Sequence, residues 1–178
     1  KAVDSQIETF AGVENQQCRL MVGMAASAEE ELRKLLAIAQ HARMDQGQAT
    51  QLKKKLAESF RRQLCYGIPT DADEAGLQRL SKQLKSGKVV IKLFTRHSLH
   101  AKLYLAFRDD PINPVIGFLG SSNLTFAGLE KQGELNIDVL DRDAAEKLAL
   151  WFEDRWTDRF CLDITQELIE VIEESWAR

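Results

Sequence analysis

A histidine and a lysine two residues apart, followed downstream by a glycine, two serines and an asparagine, are residue types that can bind and attack a phosphodiester. They occur in Leu99–Asn123, LHAKLYLAFRDDPINPVIGFLGSSN. On a strand starting at His100, side chains alternate, so His100, Lys102, Tyr104 and Ala106 share one face and Ala101, Leu103, Leu105 and Phe107 share the other. The first face presents an imidazole and an ammonium about 7 Å apart along the chain, at roughly 3.3 Å per residue. Taken alone, His-x-Lys is a weak signal, since a half-exposed strand carrying two unrelated cations has the same pattern. Gly120-Ser121-Ser122-Asn123 adds close backbone approach, small hydroxyls and an amide, donors suited to phosphate oxygens. If the two strands pair, these donors lie beside His100 and Lys102. Glu134, eleven residues after Asn123, opens a further strand. A carboxylate there can accept from imidazole Nδ1–H, fixing the tautomer and supporting positive charge on the ring.

The elements that must position these groups are legible in outline. CRLMVGM (Cys18–Met24) is a short apolar run suited to a buried strand. Ser27 with Glu30 forms a capping-box signature, predicting a helix to about Met44. Leu52, Leu56, Phe60 and Leu64 recur every four residues and mark a second helix, rimmed by Lys53–Lys55, Arg61 and Arg62. Asp71 and Glu74 can cap a third, with Leu77, Leu80 and Leu84 as its stripe and Gly87 at its C′ position. Strands are then expected at Lys88–Phe94, His100–Phe107, Val115–Gly120 and Glu134–Leu140. Asp143 opens a helix to about Arg159, and a last helix runs from about Ile164 to Trp176. Helices alternating with strands, and strands then clustering, predict an α/β fold: a mixed β-sheet with helices on both faces.

HAKLYL, then IGFLGSSNLTFAGL, then GELNIDVL, in that order, resemble a half-site of the phospholipase D superfamily. More narrowly they are similar to its bacterial nuclease branch. That branch includes metal-independent restriction endonucleases and the modules that precede the motor in some superfamily II DNA helicases. The resemblance is strong over His100–Val139 and compatible with Cys18–Thr95. It implies a mechanism in which one motif histidine attacks phosphorus to form a phosphohistidine. A histidine from a second half-site protonates the leaving oxygen, and water resolves the intermediate. Carried onto this chain, it implies His100 as nucleophile or general acid, and Lys102 and Asn123 holding the phosphoryl oxygens. Ser121 or Ser122 would assist, and Glu134 would orient His100. Phosphoryl transfer rewards such positioning and positive charge. The resemblance implies no metal and no cofactor. The superfamily motif carries an Asp where this chain has Phe107, and several nuclease-branch members also lack it. Only one His-x-Lys occurs in the chain, so a homodimer, with His100 from each subunit near a two-fold axis, would complete the site.

Bulk properties fit one phospholipase D-like domain spanning 1–178. The chain begins at Lys1 without an initiator Met and is read as part of a larger protein. Lys and Arg total 24 against 27 Asp and Glu, a net charge of −3, which argues against a protein wholly devoted to nucleic acid. The distribution says more. Lys82, Lys85, Lys88, Lys92, Arg96 and Lys102 occur with no acid among them, whereas Asp163–Glu174 holds five acids and no base. That asymmetry can place a positive patch on an acidic molecule, or be a solvated surface. No apolar run spans a membrane and no signal peptide is visible, so a cytoplasmic protein without membrane contact is expected. Cys18, Cys65 and Cys161 are odd in number and far apart, favouring reduced thiols.

His97 with His100 makes a poor metal pair, since no third ligand is placed nearby, and His41 is read as a surface residue of a helix. Trp151, Phe152, Trp156 and Phe160 read as helix packing rather than base stacking. No GxxxxGK[ST] occurs, so any helicase motor lies outside these residues. The leading expectation is a phosphodiesterase domain acting on DNA, a module of a restriction or helicase protein. The alternatives are a non-catalytic DNA-binding or dimerisation module that keeps the phosphate pocket, and a hydrolase of phospholipids or other small diesters.

Overall fold

A computed structural model describes residues 6–23, 46–64, 70–97, 99, 101–120 and 136–175. Two compact units emerge: Lys1–Ser98 with Arg159–Arg178, and Leu99–Asp158. The helix expected from Ser27 to Met44 lies outside the described residues, as do Cys65 and His41.

In chain order the elements are β1 (Cys18–Val22), α1 (Gln46–Leu64), α2 (Asp71–Lys85), β2 (Val89–Phe94), β3 (Leu103–Phe107), β4 (Val115–Gly120), β5 (Asn136–Val139), α3 (Arg142–Trp156), β6 (Cys161–Asp163) and α4 (Thr165–Glu173). The α/β expectation is met, and the mixed sheet is in the first unit. There β2 is central, parallel to β1 and antiparallel to β6. The strands β3, β4 and β5 form a second sheet, an antiparallel meander. The connection from Phe107 to Val115 is too short for a crossover, so β3 and β4 pair antiparallel.

The core of the first unit follows from the alternation of β2. Val89, Ile91 and Leu93 are buried on one face, packed with Leu84 of α2, with Ile164, and with Leu168, Ile169 and Ile172 of α4. Thr165 stitches helix to strand: its hydroxyl accepts from Ile91 N–H at 3.1 Å, while Ile164 N–H donates to Ile91 O at 3.1 Å. The cap of α2 is Thr70 rather than Asp71 or Glu74. Its hydroxyl accepts from Asp73 N–H and its own N–H donates to the Asp73 carboxylate, a capping box one residue earlier than expected. Gly87 does adopt positive φ, +71°, and lies back to back with Gly12 at φ +74°. Lys88 Nζ donates to Glu8 O at 2.7 Å, and Gln83 Nε2 donates to the Glu8 carboxylate at 2.8 Å. These bonds tie the N-terminal segment to the α2–β2 junction.

The charge runs noted in the sequence are largely partners of one another. Lys53 pairs with Glu167 at 3.2 Å, Arg61 with Glu174, Lys85 with Glu173, and Lys88 with Glu8. Lys92 stands opposite Asp163 in the β2–β6 register. The acidic α4 therefore neutralises the inner rims of α1 and α2, and the positive patch expected from the sequence is smaller than the run of lysines implies. Lys54, Lys55 and Arg62 of α1 remain exposed, with no ion pair among the described residues.

Candidate active site

Lys102 is half-buried and immediately precedes β3, which starts at Leu103 rather than at His100. Its carbonyl accepts from Gly120 N–H at 3.4 Å, extending the ladder in which Leu103 faces Leu119. Gly120 in turn faces Asn136 across β4 and β5. One row at the end of the second sheet thus contains Lys102, Gly120 and Asn136. His100, Ser121, Ser122, Asn123 and Glu134 lie outside the described residues. Along the chain, His100 and Ser122 are two residues from Lys102 and Gly120, Asn123 is three from Gly120, Glu134 is two from Asn136, and Ser121 is bonded to Gly120.

The sheet that carries the row has distinct faces. A Cβ added at Gly117 would lie 2.9 Å from Leu148 Cδ1 of α3, and beside Val139 and Leu105. Helix α3 therefore covers the face of Leu105, Gly117 and Val139, and the absence of a side chain at Gly117 lets it approach. Tyr104, Phe118 and Asp138 form the cross-strand row on the opposite face. Burial pushes the Tyr104 phenol above its ordinary value, so it remains a neutral donor at physiological pH. Lys102 has the same parity as Tyr104, as the alternation predicts. Phe107, standing where the superfamily motif carries an acid, is the last residue of β3 and is 58% exposed.

Asp110, an acid of the connection that follows β3, is engaged locally. Asp110 accepts from the N–H groups of Ile112 (2.9 Å) and Asn113 (3.1 Å) and from Arg108 Nη2 (3.0 Å). Those backbone bonds first, and Arg108 last, hold its carboxyl below the usual carboxylate range. Asp110 shapes the β3–β4 connection. Burial raises the Cys18 value, which keeps the thiol protonated.

A family model described as "Cardiolipin synthase, PLD-like domain" matches residues 14–156, most of the chain. The chain belongs to the phospholipase D superfamily. The match includes the whole of the second sheet and the three segments that carry the His100, Gly120 and Glu134 motifs. It ends at the last residue of α3, so β6 and α4, which complete the first sheet and its core, lie beyond it. Superfamily membership makes this a domain of a phosphodiester-acting family, one whose members commonly dimerise. Neither a curated protein nor a solved structure matches the chain. Among the described residues no helix is long and apolar enough to cross a membrane.

One cluster was not foreseen as a unit. Thr95 is fully buried; its N–H (2.9 Å) and Oγ1 (2.7 Å) both donate to Phe160 O, continuing the β2–β6 ladder by one step. This lock sets Arg96 and Arg159 on the Phe160 ring, their guanidinium carbons 4.6 and 4.8 Å from its centre. His97, read as a boundary histidine, follows β2 and meets Phe94 edge-on at 4.9 Å. Phe152 and Trp156 stack within α3, at 5.5 Å, whereas Phe160 follows that helix and carries the two arginines. The partners are far apart in sequence, so no local pattern announces them.

Proposed function

We propose that this chain is a metal-independent phosphodiesterase of the nuclease branch, cleaving DNA through a phosphohistidine formed on His100. The observation that supports this reading is the row of Lys102, Gly120 and Asn136: the three motif-bearing segments of the chain meet at one end of one sheet. Exposed Lys54, Lys55 and Arg62 supply sequence-independent attraction for a polyanion on an otherwise acidic chain.

In this mechanism the scissile phosphate is held by Lys102 Nζ, the Asn123 amide and a hydroxyl of Ser121 or Ser122. Glu134 accepts from the His100 Nδ1–H, which leaves Nε2 as the nucleophile. A P–N bond forms as the P–O bond to the leaving group breaks. The leaving oxygen takes its proton from His100 of the partner subunit in a homodimer. That imidazole, now neutral, accepts a proton from water as the water oxygen attacks phosphorus. The P–N bond then breaks and His100 is regenerated. The sum is one diester plus water giving one monoester and one alcohol. The protein works in the cytoplasm, as a module of a longer restriction or helicase protein.

A second reading has one observation in its favour: Phe107 occupies the position of the motif acid, as it would in a non-catalytic DNA-binding or dimerisation module that keeps the pocket. Cleavage of single- and double-stranded DNA in excess EDTA separates the two. The proposal expects metal-free cutting that falls by on the order of 10³-fold in His100→Ala. Salt-dependent DNA binding by both proteins, with no cutting by either, would establish the second reading instead.

A further inference from the structure

We propose that Tyr104 and Phe118 form a stacking platform for one unpaired base next to the phosphate held at Lys102, so that the chain acts on single-stranded nucleic acid. The inference rests on the phosphodiesterase reading above and deepens it by naming the substrate class. Every residue it uses belongs to the second sheet. There β4 is the central strand, between β3 and β5. On it Gly117 is buried against Leu148 of α3, while Phe118, turned to the other face, is 41% exposed. One exposed phenylalanine is ordinary for a protein surface. Here Tyr104 stands directly across from it on β3, and at such positions Cβ atoms are about 4.5–5.5 Å apart, so both rings belong to one face.

The position of the pair suits a base. Lys102 and Gly120 are one step along the same ladder and on the same face. Two residues of strand advance about 7 Å, which leaves room for the one sugar that separates a phosphate from its base. Asp138, across from Phe118 on β5, decides what lies there. It is exposed and has no ion pair among the described residues. Its carboxylate repels a second phosphate, so the row favours a base over a continuation of the backbone. As an acceptor with no donor, it takes an exocyclic amine, cytosine N4 or adenine N6, and repels thymine O4. A duplex keeps its bases stacked on one another and their amines paired. A single strand offers both a π-face for the rings and an edge for the carboxylate.

The test is fluorescence anisotropy of end-labelled oligo(dC), oligo(dT) and a duplex, with the full chain carrying His100→Ala so that the oligonucleotides stay intact. Phe118→Ala should weaken binding of the single strands about tenfold, the worth of one base stacked on an aromatic ring, and leave the duplex unchanged. Phe118→Tyr keeps the ring and should bind like the parent, whereas Phe118→Leu keeps apolar bulk without a ring and should lose affinity as alanine does. Asp138→Asn should lower the ratio of oligo(dC) to oligo(dT) affinity about fivefold. Unchanged single-strand binding in Phe118→Ala and Phe118→Leu overturns the platform and leaves the phosphodiesterase reading intact. Equal loss for single strands and duplex overturns it too. So does dissociation of a dimer by Phe118→Leu, read by sedimentation velocity, with single-strand affinity retained, since this face would then join two copies of the chain. A parent that hydrolyses bis(4-nitrophenyl) phosphate and binds none of the oligonucleotides overturns the nucleic-acid reading, and the platform with it.

Discussion

Replacing glycine by alanine at Gly12, Gly87 and Gly76 is expected to change stability with opposite signs, and the geometry fixes which. Gly12 and Gly87 approach back to back at the α2–β2 junction. A Cβ at Gly12 would lie 2.1 Å from Ser86 O, and one at Gly87 would lie 2.8 Å from Gly12 O; both obstacles are backbone. At φ +74° the alanine also enters the left-handed region, costing roughly 1–2 kcal/mol. Forcing apart a packed backbone contact adds about 1–3 kcal/mol, so Gly12→Ala should lose about 2–5 kcal/mol, a large part of a typical stability of about 5–15 kcal/mol. Gly87→Ala, with φ +71° and the looser contact, should lose less. Gly76 sits inside α2, where an added Cβ meets nothing closer than Arg79 Nη2 at 4.0 Å. There alanine should gain about 0.5–1 kcal/mol through helix propensity and a less entropic unfolded chain. Urea unfolding followed by far-ultraviolet circular dichroism reads all three as midpoint shifts at constant slope. A Gly12→Ala midpoint within about 0.5 kcal/mol of the parent, or a Gly76→Ala variant less stable than Gly12→Ala, would refute the close approach.

Three further outcomes are expected. Ile172→Ala, at a core position 1% exposed, should cost about 2–5 kcal/mol in the same assay. Thr95→Val removes the hydroxyl bond to Phe160 O while the Thr95 N–H bond remains, so it should cost only about 1 kcal/mol in the same assay. The Asp73 carboxyl is held below its ordinary value, first by the Thr70 hydroxyl and then by the Thr70 N–H. A depressed native value means its contribution is complete above the unfolded value near pH 4 and disappears as pH falls through the lower native value. The stability gap between parent and Asp73→Asn should therefore be present at pH 7 and shrink below pH 4.

Strands whose pattern is carried by their own residues were legible: β4 is Val115–Gly120 as expected, and β2 differs by one residue. Gly87 was legible too, because a positive-φ stop is a property of one residue type. β6 was not. Three residues hold no period, and Cys161–Asp163 is a strand only because β2 stands beside it. The charge runs misled for the same reason. A lysine run looks like a patch until Glu167, Glu173 and Glu174, far along the chain, return beside it. Around the site, the pairing of the lysine segment with the glycine segment was foreseeable from alternation, and Lys102 with Gly120 meets it. The start of β3 was not, since the backbone joins the ladder only from Leu103. Phe160 was visible only as one more aromatic of a helix, because its contacts with Thr95 and Arg96 are remote in sequence.

The most direct test of a histidine-linked intermediate is the stereochemical course at phosphorus, read by cleaving a chiral phosphorothioate diester in isotopically labelled water. Attack by His100 followed by attack of water makes two in-line displacements, each inverting, so the account predicts net retention, lost together with activity in His100→Ala. Net inversion would mean that water attacks the diester in a single step, and the phosphohistidine account would be wrong.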